Sequence, residues 1–60
     1  MATKKQIEDF KVRLAQEMRN VKNDDSTCYF SEEDIKYWVG TVTAKDVRLN
    51  PAQCAQVLAM

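Results

Sequence analysis

A chain of 60 residues forms at most one small domain, and at that size folding hides only about 60% of the unfolded surface, so the core is thin. Its 45% hydrophobic content excludes disorder throughout, and its single Gly and single Pro exclude an all-β fold built on many tight turns. Nine basic and nine acidic residues cancel, so no global field draws the chain toward nucleic acid or membrane.

The charges are nevertheless segregated. Residues 3–22 carry six basic and three acidic side chains, residues 23–34 carry five acids and no base, and residues 35–60 carry three bases and one acid. The start, MATKKQIEDFKV, has no apolar run of signal-peptide length, and no segment approaches a membrane span. A cytoplasmic location is the default expectation, and Cys28 and Cys54 are then reduced thiols rather than an implied disulfide.

The first element is a helix over residues 4–22. Ile7, Phe10, Leu14, Met18 and Val21 recur at spacings of three and four, which places them on one stripe. Thr3 is the cap and Gln6 completes a capping box; Arg19 and Lys22 fall in the last turn, where positive charge suits the helix dipole. The stripe also resembles a coiled-coil seam, which leaves open a homodimer paired through this helix. Residues 23–27, NDDST, form a polar turn.

A second, shorter helix is expected over residues 32–39. Ser31 is its cap, Glu32, Glu33 and Asp34 occupy the first turn, and Phe30 and Ile35 match a hydrophobic staple. Ile35, Trp38, Val39 and Val42 make the buried side, with Trp38 expected in the core and Gly40 as the C-terminal cap. Tyr37 falls off that side, toward solvent.

Residues 43–48 read as one helical turn, with Thr43 and Asp46 as its cap pair, in preference to two short extended pieces. The last helix spans residues 51–59: Asn50 is the cap, Pro51 fits the first helical position, and Gln53 completes another capping box. Cys54, Val57 and Leu58 supply its apolar face, with Leu49 placed to staple against Cys54. The expected fold is a single all-α domain over residues 1–60, a small bundle of three main helices.

Little catalytic chemistry can be built from these residues. The chain has no histidine, its two cysteines stand 26 positions apart, and one glycine cannot make a phosphate-binding loop. The acid pairs Asp24/Asp25 and Glu32/Glu33 lack the burial that tunes a carboxylate for proton transfer. A calcium loop over residues 23–34 has oxygen-bearing residues at several ligand positions. However, it carries Cys28 where glycine makes the sharp turn and Asp34 where a longer Glu chelates. An acidic linker followed by a helix cap explains the same residues. The expectation is a non-enzymatic protein without metal or cofactor.

Two binding functions remain. The first is a protein-interaction module (an adaptor, inhibitor or regulatory subunit) whose partner-binding candidates are Tyr29, Glu33, Lys36 and Tyr37 around the second helix. Val12, off the apolar stripe of the first helix, is expected to be exposed as well. The second is a DNA-binding regulator, because residues 43–58, TAKDVRLNPAQCAQVL, resemble the second half of a helix-turn-helix motif. That resemblance implies Gln53 and Gln56 reading bases, with Lys45 and Arg48 on phosphates. The segment departs from the motif in its short first helix and in a turn without glycine.

Overall fold

The computed structural model describes residues 2–60, which form three α-helices and a short 3-10 turn with no sheet. Helix α1 spans Lys4–Asn20 and opens with the expected capping box: Gln6 N–H donates to Thr3 Oγ1 at 3.2 Å, and Thr3 N–H donates to Gln6 Oε1 at 2.9 Å. Phe10, Leu14 and Met18 from its stripe are buried, and Met18 is wholly enclosed. Ile7 and Val21, at the two ends of the stripe, are only partly covered.

The helix stops two residues before the expected end. Val21 takes up extended backbone, its carbonyl accepts from Tyr29 N–H at 3.1 Å, and Lys22 pairs with Cys28 as an isolated antiparallel bridge. The acidic run between them closes into a tight hairpin. Asn23 N–H donates to the Thr27 carbonyl at 2.8 Å, and Asp25 accepts from both the N–H and the hydroxyl of Thr27. Ser26 sits there in the left-handed region at φ 69°, a conformation that favours glycine. Lys22 therefore serves the hairpin and not the helix dipole.

Helix α2 spans Glu32–Gly40. Ser31 Oγ accepts from Asp34 N–H at 3.2 Å, Asp34 reaches back to Ser31 N–H, and Phe30 and Ile35 are both buried as a staple requires. Gly40 does not cap this helix in a left-handed conformation; it stays helical, and Thr41 is the cap, its hydroxyl donating to the Trp38 carbonyl at 2.7 Å. A threonine able to satisfy that carbonyl removes the need for glycine geometry.

The 3-10 turn covers Asp46–Arg48, where one helical turn was expected. Asp46 Oδ2 accepts from Thr43 N–H at 2.8 Å and from its hydroxyl at 3.3 Å, so the pair acts with the acid reaching back to the threonine. Helix α3 spans Pro51–Leu58, with Asn50 Oδ1 accepting from Ala52 N–H at 2.9 Å. Gln53 takes no part in that cap. The helix is also rotated from the expected face: Ala55 is the residue buried, Cys54 and Leu58 are half-buried, and Val57 and Leu49 are exposed.

Helix α1 is the spine. It packs against α2, the 3-10 turn and α3, whereas α2 and α3 do not pack on each other. The Cα extents are 40 × 19 × 14 Å, and the shortest matches two packed helices, each with a Cα cylinder about 4.6 Å across. Six residues make the core: Phe10, Leu14, Met18, Phe30, Ile35 and Ala55. This core takes up Phe10, Leu14 and Met18 of the α1 stripe within a single chain.

Candidate functional site

The separation of α2 from α3 leaves an open groove of about 340 Å³ on the surface. Phe10 and Leu14 of α1 form its floor. Trp38 and Val42 stand on the α2 side, and Leu49, Cys54, Val57 and Leu58 on the α3 side. Its polar margin comes from Thr41, Asn50 and Gln53, and its one charged group among the described residues is Asp46.

Trp38, expected in the core, lines this groove and is 37% exposed. The reason is geometric. A core ring on that face of α2 needs a neighbour across from it, and α3 does not come close enough to supply one. Leu49 and Val57 on the opposite side are left exposed for the same reason, at 54% and 65%. Three large apolar side chains therefore converge on one surface feature, in contrast to single exposed apolar residues scattered over a surface.

The electrostatics of the groove are set by Asp46. Burial pushes the Cys54 thiol above its ordinary pKa, and the negative charge of Asp46 pushes it further. Outside the groove, Arg19 at the end of α1 grips Glu32 at the start of α2 through Nε–Oε1 at 3.3 Å and Nη2–Oε2 at 3.1 Å. This hydrogen-bonded pair raises the Arg19 pKa and lowers that of Glu32. Both side chains are more than half exposed, so water screens the pair and it fixes helix register more than it adds stability.

The four residues expected to meet a protein partner are all exposed, but none of them lines the groove. Glu33, Lys36 and Tyr37 share a face of α2 by helical spacing, and Tyr29 lies at the end of the hairpin with its ring edge-on to Phe30 at 4.9 Å. The residues expected to meet DNA are exposed too, yet they do not share one depression, and Gln56 lines neither of the two that hold the others. Gln53 borders the groove, while Lys45 and Arg48 line a separate depression beside Ala2 and Gln6. The helix-turn-helix geometry is not formed: a three-residue 3-10 turn stands in place of its first helix, and α3 carries no basic residue.

Sequence reasoning did not single out Asp46, Trp38, Leu49 and Val57 as one site. The available signal was the breadth of the apolar face of α3, where Cys54, Ala55, Val57 and Leu58 together exceed what one neighbouring helix covers. It also missed the approach of Lys22 Nζ to Cys28 Sγ at 3.3 Å, which depends on the hairpin.

Among the described residues no group of three or more potential metal ligands comes together, and no helix is long and apolar enough to cross a membrane. The class that the fold defines is a small all-α domain of three helices. Compared with protein-family models, curated proteins and solved structures, the chain matches none.

Proposed function

We propose that this protein is an interaction module that binds another protein through the groove between α2 and α3. The observation that carries the reading is the convergence of Trp38, Leu49 and Val57, all exposed, over a floor made by Phe10 and Leu14. Burying such a patch against a partner removes apolar surface from water at about 25 cal/mol per Å², the main driving force of protein association. Trp38 has the character of an interface anchor, a large rigid ring whose burial on binding costs little conformational freedom.

This moves the contact surface from the outer face of α2, where Tyr29, Glu33, Lys36 and Tyr37 stand, to the adjacent groove. Tyr37, whose ring meets that of Trp38, becomes an aromatic rim on one side of it, while Tyr29, Glu33 and Lys36 stand outside the groove. Site-specific photocrosslinking in the native cell tests the reading. A photoreactive side chain at Val57 is expected to capture a defined protein, identified by mass spectrometry, that the same group at Gln16 on α1 does not capture. Equal capture from both positions would contradict it.

A further inference from the structure

We propose that the occupant of the groove is an amphipathic helix of a partner protein that presents an apolar ridge together with a lysine or arginine, and that Asp46 selects this cation. The proposal rests on the groove being the interaction site and goes beyond that reading to the chemistry of the partner.

The helical form follows from what the walls offer. An added strand needs a row of free backbone N–H and C=O groups along a sheet edge. The walls here combine α2, α3 and the 3-10 turn with the linking residues Thr41, Val42, Leu49 and Asn50. The N–H groups of Thr41, Val42 and Leu49 already donate to the Trp38, Val39 and Asp46 carbonyls, and the only β-bridge among the described residues, Lys22 with Cys28, lies in the hairpin outside the groove. A surface made mostly of apolar side chains suits a ligand whose backbone is already satisfied. An amphipathic helix meets that condition, presenting side chains one turn apart to Trp38 on one wall and to Leu49 and Val57 on the other.

The cation follows from charge complementarity. Asp46 is the one charged residue in the lining. Both of its side-chain hydrogen bonds, from Thr43 N–H and Thr43 Oγ1, end on Oδ2, so Oδ1 has no protein donor among the described residues. Among the described residues it is in no ion pair, and it is partly covered. Its charge is felt inside the groove, where it raises the pKa of the Cys54 thiol. An acidic group brought into the groove would be repelled, and a neutral apolar helix would leave Asp46 partly desolvated and unpaired. A lysine or arginine at the edge of the apolar ridge resolves both.

The test is selection of helix-forming peptides from a displayed random library on the full chain, with Val57→Glu as counter-selection and Asp46→Asn as the charge variant. Asn keeps a carbonyl oxygen for Thr43 N–H, and unchanged circular dichroism verifies that the fold is kept. The expected result is a set of peptides with apolar residues at i, i+4 and i+7 and a recurrent Lys or Arg, whose binding is lost with Val57→Glu. Asp46→Asn is expected to weaken them about fivefold at low salt, and to have no effect once the peptide's cation is replaced by norleucine. Groove-binding peptides with no cation preference would overturn the selection by Asp46 while leaving the groove as the site. Peptides that bind Val57→Glu equally well would overturn both. A concentration-dependent dimer of the chain itself, lost in Val57→Glu, would make the occupant a second copy and overturn the proposal.

Discussion

The rings of Tyr37 and Trp38 meet edge to face, with centroids 5.1 Å apart and planes at 84°. Tyr37, at 65% exposure, points away from the bundle, while Trp38 turns toward the groove. This consecutive pair marks the boundary between the solvent face of α2 and the docking surface.

The boundary has a mutational signature. Ile35→Ala, which empties a buried site, is expected to cost about 3 kcal/mol, which is most of the stability of about 3–5 kcal/mol usual for so small a core. Trp38→Ala removes a partly exposed ring and is expected to cost about 1–2 kcal/mol, leaving the chain folded but weak in partner binding. Urea denaturation followed by circular dichroism separates them; an equal loss for both would place Trp38 in the core.

The caps are expected to matter more than their exposure suggests. Ser31→Ala removes the acceptor for Asp34 N–H at the start of α2 and is expected to cost about 1 kcal/mol, with Ser31→Asp restoring most of it. Thermal melts of the two variants check this, and a silent Ser31→Ala would mean that the staple alone holds the helix start.

Two carboxylates make stability depend on acid. Asp25 is held below the ordinary carboxylate range by the hydroxyl and then the N–H of Thr27, and Glu32 by its hydrogen bond to Arg19 and that residue's charge. A folded state with depressed pKa values binds fewer protons than the unfolded chain, so stability rises with pH. The contribution is fully present above the unfolded values of about 3.9 and 4.3, and is lost as pH falls through the lower folded values. Carboxyl ¹³C titration is expected to show Asp25 moving part of the way back up in Thr27→Ala. An unchanged midpoint would contradict the assigned cause.

The thiols are expected to differ in reactivity. Cys28 is exposed at the hairpin, whereas Cys54 is half-buried and has its pKa raised by burial and by Asp46. Iodoacetamide at mildly alkaline pH is expected to modify Cys28 first, because a raised pKa leaves less thiolate on Cys54. Asp46→Asn is expected to speed modification of Cys54, and a peptide in the groove to slow it. Equal rates at the two thiols, read by mass spectrometry, would contradict the burial and electrostatics assigned to Cys54.

Much of the fold was legible in the residues because it rests on local rules. The Thr3 and Ser31 capping boxes, the Phe30–Ile35 staple and the Phe10–Leu14–Met18 stripe are each set by successive side chains three to five positions apart. The groove was not legible, since it depends on how far apart two helices stand on a third. Nothing in the spacing of Trp38, Leu49 and Val57 states that α3 will bury Ala55 and leave Val57 facing α2 across open space. The end of α1 was missed for a related reason: Val21 leaves the helix to bond Tyr29, eight residues further along.

The most direct measurement pairs a thermal melt with partner capture for Val57→Glu. Val57 is exposed and lies outside the core, so the melt is expected to match that of the unaltered chain, while crosslinking of the partner from a photoreactive group at Leu49 is lost. A folded Val57→Glu protein that still captures the same partner from Leu49 would contradict the groove as the binding surface.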